Sequence, residues 1–226
     1  MPRSSRSRFL RIARAAMILA SSASCAMNSR GKGAVLGAAA GGLAGGIIGN
    51  QTGSTARGAI IGAVVGGAAG VIIGNQMDQQ AKELEQNIPG AVVERVGEGI
   101  QVTFASGLLF GFDSDVIQSQ ARANLTELAN SLGKYDKSSL MIVGHTDDVG
   151  SAAYNEDLSQ RRAAAAASYL RNQGVTRQIT TRGVGEREPV AVNTTEAGRQ
   201  KNRRVEVAIY ASAALQDQAR RQAGGN

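Results

Sequence analysis

Residues Leu140 to Leu170 (LMIVGHTDDVGSAAYNEDLSQRRAAAAASYL) constrain the fold most, because they read as a strand feeding a helix through a short polar loop. Leu140, Met141, Ile142 and Val143 form an apolar run that breaks at Gly144. Further on, the five alanines Ala163 to Ala167 are about the best helix formers available. Asp147 and Asp148 lie at the end of the strand, and Arg161 and Arg162 lie in the first half of the helix. The turn from strand to helix brings these ends together and predicts a small site with a carboxylate beside a guanidinium. A carboxylate accepts from an ammonium and a guanidinium forks onto a carboxylate. Together they suit a zwitterion, such as an amino-acid headgroup.

The same stretch carries a resemblance. G-H-T-D-x-x-G at Gly144 to Gly150, then Asn155, then L-S-x-x-R-A at Leu158 to Ala163 and Tyr169-Leu170, closely resembles the OmpA-like peptidoglycan-binding domain. F-D-S-D at Phe112 to Asp115 and N-R-R-V-E at Asn202 to Glu206 match as well, so the resemblance spans roughly Val92 to Tyr210. It implies non-covalent binding of the diaminopimelate residue of the peptidoglycan stem peptide. By that resemblance Asp147 takes the ammonium and Arg162 the carboxylate. Thr146, Asn155 and Leu158 line the pocket, and Asp113 and Arg203 support it from neighbouring strands.

Composition narrows the alternatives. The formal charge of +7 suggests nucleic acid or a membrane surface, but its distribution argues against nucleic acid. Arg3, Arg6, Arg8, Arg11 and Arg14 fall in the first 14 residues with no acid among them; from residue 25 on, 20 basic residues face 18 acidic ones. One cysteine and one histidine allow no intramolecular disulfide and no His/Cys metal cluster. No metal or cofactor is expected. A Ser-His-Asp triad would need His145, yet no serine sits in a nucleophile elbow. His145 is expected to hydrogen-bond locally at a strand end. Asp147 and Asp148 are adjacent, not set across a cleft as paired catalytic carboxylates are, so the chain does not read as an enzyme.

Residues 1–24 have the pattern of an export signal: an arginine-rich start, a short apolar core and small residues. Ser22-Ala23-Ser24-Cys25 resembles a lipobox, with Cys25 as the lipidated residue, although Ser22 stands where leucine is usual. Cleavage after Ala23 without lipid is the alternative. Ala26 after the cysteine resembles the sorting pattern for the outer membrane.

Residues 33–51 and 58–76 are an internal repeat, GAVLGAAAGGLAGGIIGNQ against GAIIGAVVGGAAGVIIGNQ, identical at 13 of 19 positions. Glycine recurs every fourth residue in each copy, the kind of face that lets another helix approach closely. The repeat resembles a glycine zipper and predicts a packed helical hairpin with Asn50 to Arg57 as its turn, and with a capacity to self-associate. Asp78 to Asn87 reads as a polar helical linker (77–90) ending at Pro89-Gly90.

The folded unit is expected over 91–212. Val92 to Val96 and Ile100 to Phe104 alternate around Gly97-Glu98-Gly99 as a hairpin. A helix presents Ala121, Leu125, Leu128, Ala129 and Leu132 on one face. Ile179 to Val184 and Arg204 to Tyr210 are the later strands, with a loop from Gly185 to Gly198. The order predicts an α+β fold, a βαβαβ sandwich with helices on one side of a mixed sheet. Residues 213–226 are expected to be a frayed, flexible tail. Two functions compete. In one, the domain grips the wall and anchors the outer membrane to it; in the other, the glycine hairpin inserts or oligomerises in a membrane and the domain only positions it.

Overall fold

The computed structural model describes residues 53–225. Its centre is a five-stranded sheet in the order β1-β2-β5-β3-β4. The strands are β1 (Ala91–Val96), β2 (Gly99–Ala105), β3 (Ser138–Gly144), β4 (Ile179–Gly183) and β5 (Arg204–Ala211), and a single-turn helix, α3 (Ser106–Leu109), follows β2. β1 and β2 form the expected hairpin, with Val96 opposite Gly99 and Gly97 at φ +54° in the turn. Glycine reaches that conformation without a Cβ penalty. β3 and β4 are parallel, and the other pairs are antiparallel. A parallel pair needs a long crossover, supplied here by α5 (Ala152–Asn172), the alanine-rich helix.

Alternation along the strands builds two apolar layers. Ile100, Val102 and Phe104, Leu140 and Ile142, and Val205, Val207 and Ile209 point to one face. That face is covered by α2 (Gly67–Asn87), α4 (Ser119–Lys134), α5 and α7 (Ala213–Gly224), and α4 packs through the five residues its sequence pattern marks. Met141, Val143, Ala208 and Tyr210 point to the other face, under α1 (Thr55–Gly62), which contributes Ala56, Ala59 and Ile60. The sheet is therefore covered on both sides, which corrects the expectation of helices on one side only. α1 comes from the glycine-rich repeat, and its Gly58 and Gly62 are buried.

Three other expectations change. The second repeat copy is two helices, because Gly66 and Gly67 both have positive φ and cannot continue a helix. Glu98 stabilises the break by accepting from the Val65 and Gly66 N–H groups, each at 2.8 Å. The first copy, the export signal and Cys25 lie outside the described residues. The stretch read as a linker is the second half of α2. Ala81 and Leu84 continue the buried stripe of Ala69, Ile73 and Met77, the spacing of a core-facing helix. The tail is α7, whose buried Leu215 and Ala219 join the main core. Among the described residues, no helix is long and apolar enough to cross a membrane.

Candidate functional site

Two glycines set the position of α5. A Cβ on Gly144 would lie 2.1 Å from the Ser159 carbonyl oxygen, and one on Gly183 would lie 2.4 Å from the Gln160 nitrogen. Only bare backbone lets the first half of α5 rest on the ends of β3 and β4. Ser151 caps the helix by accepting from the Tyr154 N–H, which satisfies one of its free donors. The loop from His145 to Gly150 is held at both sides, His145 N donating to Arg204 O at 2.9 Å and Thr146 N to Gly185 O at 3.0 Å.

Asp147 projects from this loop and is only 7% exposed. Its Oδ1 accepts from Val149 N at 3.2 Å, and its Oδ2 accepts from Arg203 Nη1 at 2.5 Å. The other Arg203 fork donates to Glu196 Oε1 at 2.6 Å, from the first turn of α6 (Glu196–Asn202). Glu196, then Asp147, hold the Arg203 guanidinium above its ordinary value against the opposing effect of burial. Asn155 braces the loop by donating to the Asp147 carbonyl oxygen at 3.2 Å and to Glu186 Oε2 at 2.7 Å.

Arg162 is different. It is 5% exposed, its Nε donates to the Ser114 carbonyl oxygen at 2.9 Å, and its guanidinium lies 5.4 Å from the centre of the Phe110 ring. It forms no ion pair among the described residues. Burial pulls it below the ordinary arginine value, and Asp113 and Asp115 act against that without touching it. Asp113 has φ +52° and accepts from the Tyr154 hydroxyl; aspartate is among the few residues that tolerate this backbone region.

All seven residues singled out in the sequence, Asp113, Thr146, Asp147, Asn155, Leu158, Arg162 and Arg203, line one cavity of about 750 Å³. Asp113 and Arg203 reach it from loops rather than strands: Asp113 from the segment before α4, and Arg203 from the joint between α6 and β5. Asp148 does not line it, and Arg161 turns away to Asp157 and Asp115. Phe110, Tyr154, Glu196 and Arg199 also line it and were not singled out. Tyr154 is one helical turn before Leu158, a spacing that could have flagged it. Glu196 lies in a stretch read as plain loop, and nothing local marks it. Three arginines and three carboxylates lining one cavity suit a ligand with both charges. Among the described residues no cluster of three or more metal-ligating groups occurs.

His145 departs from its expectation. It is buried on the α1 face, and neither ring nitrogen has a hydrogen-bond partner among the described residues. Its Nε2 is 3.6 Å from Glu206 Oε2.

The OmpA family model matches residues 109–203, and the YMGG-like Gly-zipper model matches residues 6–78. Outer membrane porin F of Pseudomonas fluorescens is 43% identical over 105 residues, covering 46% of this chain and only 32% of that protein. The outer-membrane lipoprotein YfiB of Pseudomonas aeruginosa is 39% identical over 115 residues, covering 50% of this chain and 68% of YfiB. The cell wall anchor of the T6SS from Pseudomonas aeruginosa superposes with a TM-score of 0.53 at 31% identity, over 59% of this chain and 97% of that one. On this sequence match and this shared fold, the chain belongs to the OmpA family.

Proposed function

We propose that the protein grips peptidoglycan non-covalently through the zwitterionic end of diaminopimelate and so ties the outer membrane to the wall. The observation that carries this is Arg162, a desolvated guanidinium that lines the cavity and forms no ion pair among the described residues. A buried cation gains most from an anionic partner, and the distal carboxylate of diaminopimelate supplies one. Asp147 takes the ammonium; Arg203 fixes one of its oxygens, and a carboxylate keeps further lone pairs for a second donor. No bond is made or broken in this reading. Similarity to a protein described as a cell wall anchor, and to an outer-membrane lipoprotein, supports the envelope setting. A lipid on Cys25 would supply the membrane end.

Cosedimentation with purified diaminopimelate-type and lysine-type peptidoglycan tests it, since lysine lacks the distal carboxylate. Wild type is expected to bind the first type at least about tenfold better. Arg162→Lys should lose nearly as much binding as Arg162→Ala, because an ammonium cannot fork onto a carboxylate, and Asp147→Ala should also fail while remaining folded by circular dichroism. Equal binding to both wall types would remove the diaminopimelate assignment. Absence of binding to either by folded wild type would remove the wall-gripping function.

A further inference from the structure

The Arg203 guanidinium is divided between two carboxylates. Its Nη1 donates to Asp147 Oδ2 at 2.5 Å, and its Nη2 donates to Glu196 Oε1 at 2.6 Å. A guanidinium beside a single carboxylate favours a different arrangement, two parallel N–H···O bonds that use both oxygens. Asp147 is not closed in that way. Among the described residues its Oδ1 accepts from the Val149 N–H alone, at 3.2 Å, and a carboxylate oxygen has room for a second donor.

α6 sets up this division. Thr195 caps the helix by accepting from the Gly198 N–H at 3.1 Å, which starts the helix at Glu196 and leaves Arg203 at its far end. Seven residues are about two helical turns, so the two side chains can meet along one side. The second Glu196 oxygen, Oε2, accepts from Arg199 Nε at 3.0 Å and Nη2 at 2.7 Å, while Arg199 Nη1 donates to the Asn193 carbonyl oxygen at 2.9 Å. Arg203, then Arg199, hold the Glu196 carboxyl below its ordinary value, so it is ionised at neutral pH. Asp147, Glu196, Arg199 and Arg203 all line the cavity. Two cations there face two anions. Without Glu196 both arginines would face Asp147 alone, leaving an excess of positive charge where an ammonium has to seat. Glu196 is itself 64% exposed, and ion pairs that open to water add little to folding.

We propose that Glu196 is a positioning residue for the ammonium-binding carboxylate. By holding one arm of Arg203 it prevents a bidentate Arg203–Asp147 pair, and so leaves Asp147 Oδ1 open to a ligand's ammonium group. The division of Arg203 stands on geometry alone; its consequence for binding rests on the reading that Asp147 receives the ammonium of diaminopimelate.

The test compares the full chain with Glu196→Ala and with Glu196→Ala plus Arg203→Lys, in cosedimentation with diaminopimelate-type peptidoglycan. Glu196→Ala should melt at an unchanged temperature and lose about tenfold in affinity, the worth of one charge-assisted hydrogen bond. Adding Arg203→Lys should restore several-fold of that loss, because an ammonium is a point charge that can take one Asp147 oxygen and leave the other. A merely structural role for Glu196 would make the two losses add instead. Equal binding by wild type and Glu196→Ala would overturn the proposal, as would a double variant weaker than Glu196→Ala. A crystal structure of Glu196→Ala gives a readout that needs no ligand. Both Arg203 Nη atoms should then lie on the Asp147 carboxylate, and an Arg203 that keeps its single contact would overturn the proposal. Failure of folded wild type to bind would remove the wall-gripping function, and that crystal structure would decide the role of Glu196 by itself.

Discussion

A methyl group at Gly144 would meet the Ser159 carbonyl oxygen at 2.1 Å, so one hydrogen atom decides whether α5 can lie where Arg162 enters the cavity. Gly144→Ala is expected to cost about 3 kcal/mol by overpacking, read as a lower urea midpoint. The buried set on the other face sets the acid limit. Burial works to raise the Glu206 carboxyl, but His145 and Arg204 beside it hold it at about 2. Burial pushes His145 below its ordinary value, against the pull of Glu206. Both folded-state values are depressed, so the unfolded chain binds more protons and acid destabilises the fold. Stability should start to fall below pH 6.5 as His145 is protonated on unfolding, and fall faster between about 4.5 and 2 through Glu206. The Glu206 part is on the order of 3 kcal/mol. Urea melts at pH 7, 5.5 and 3.5 check this; Glu206→Gln should be weaker at pH 7, with Arg204 left buried and unpaired, but flatter below 4.5. The motif residues could be named from sequence, since each is a chemically distinctive letter in an ordered pattern. Phe110 and Glu196 could not, because only folding brings their segments to the cavity.

At the scale of elements, α2 and α7 show where pattern reading stopped short. Asp78 to Asn87 is rich in polar residues and looks like a linker, yet Ala81 and Leu84 are enough to continue a buried stripe. Ser212 caps α7 by accepting from the Leu215 N–H, and Leu215 and Ala219 reach the core beside α2. A chain ending at Ser212 should lose about 3 kcal/mol, from one buried leucine and the helix contact around it, seen as a lower melting temperature. Wall binding should be retained, since α7 does not line the cavity. The break between α1 and α2 is equally hidden in the sequence. Glycine recurs evenly through the repeat, and only the carboxylate of Glu98 selects Gly66 and Gly67 as the place to turn.

For the molecule as a whole, the unit that folds is larger than the matched motifs. A fragment from Ile88 to Ser212 would uncover Met141, Val143 and Ala208 on one face and lose Ile73, Met77 and Leu84 from the other. It should be far less stable than a chain starting at Gly53 and should bind a hydrophobic dye, whereas the longer chain should not. This packing also bears on the membrane-inserting alternative, because the described glycine repeat turns Ile60 and Ile73 into the domain's own cores. Sequence alone determined the strands, the alanine-rich crossover, the charge balance and the letters of the site, since periodicity, propensity and motif spacing are local properties of a chain. Tertiary structure alone decided that the glycine repeat covers the sheet, that Arg203 rather than Arg162 pairs with Asp147, and that His145 is sealed beside Glu206. Those outcomes depend on which distant groups share a desolvated space, and that is set by packing rather than by order along the chain.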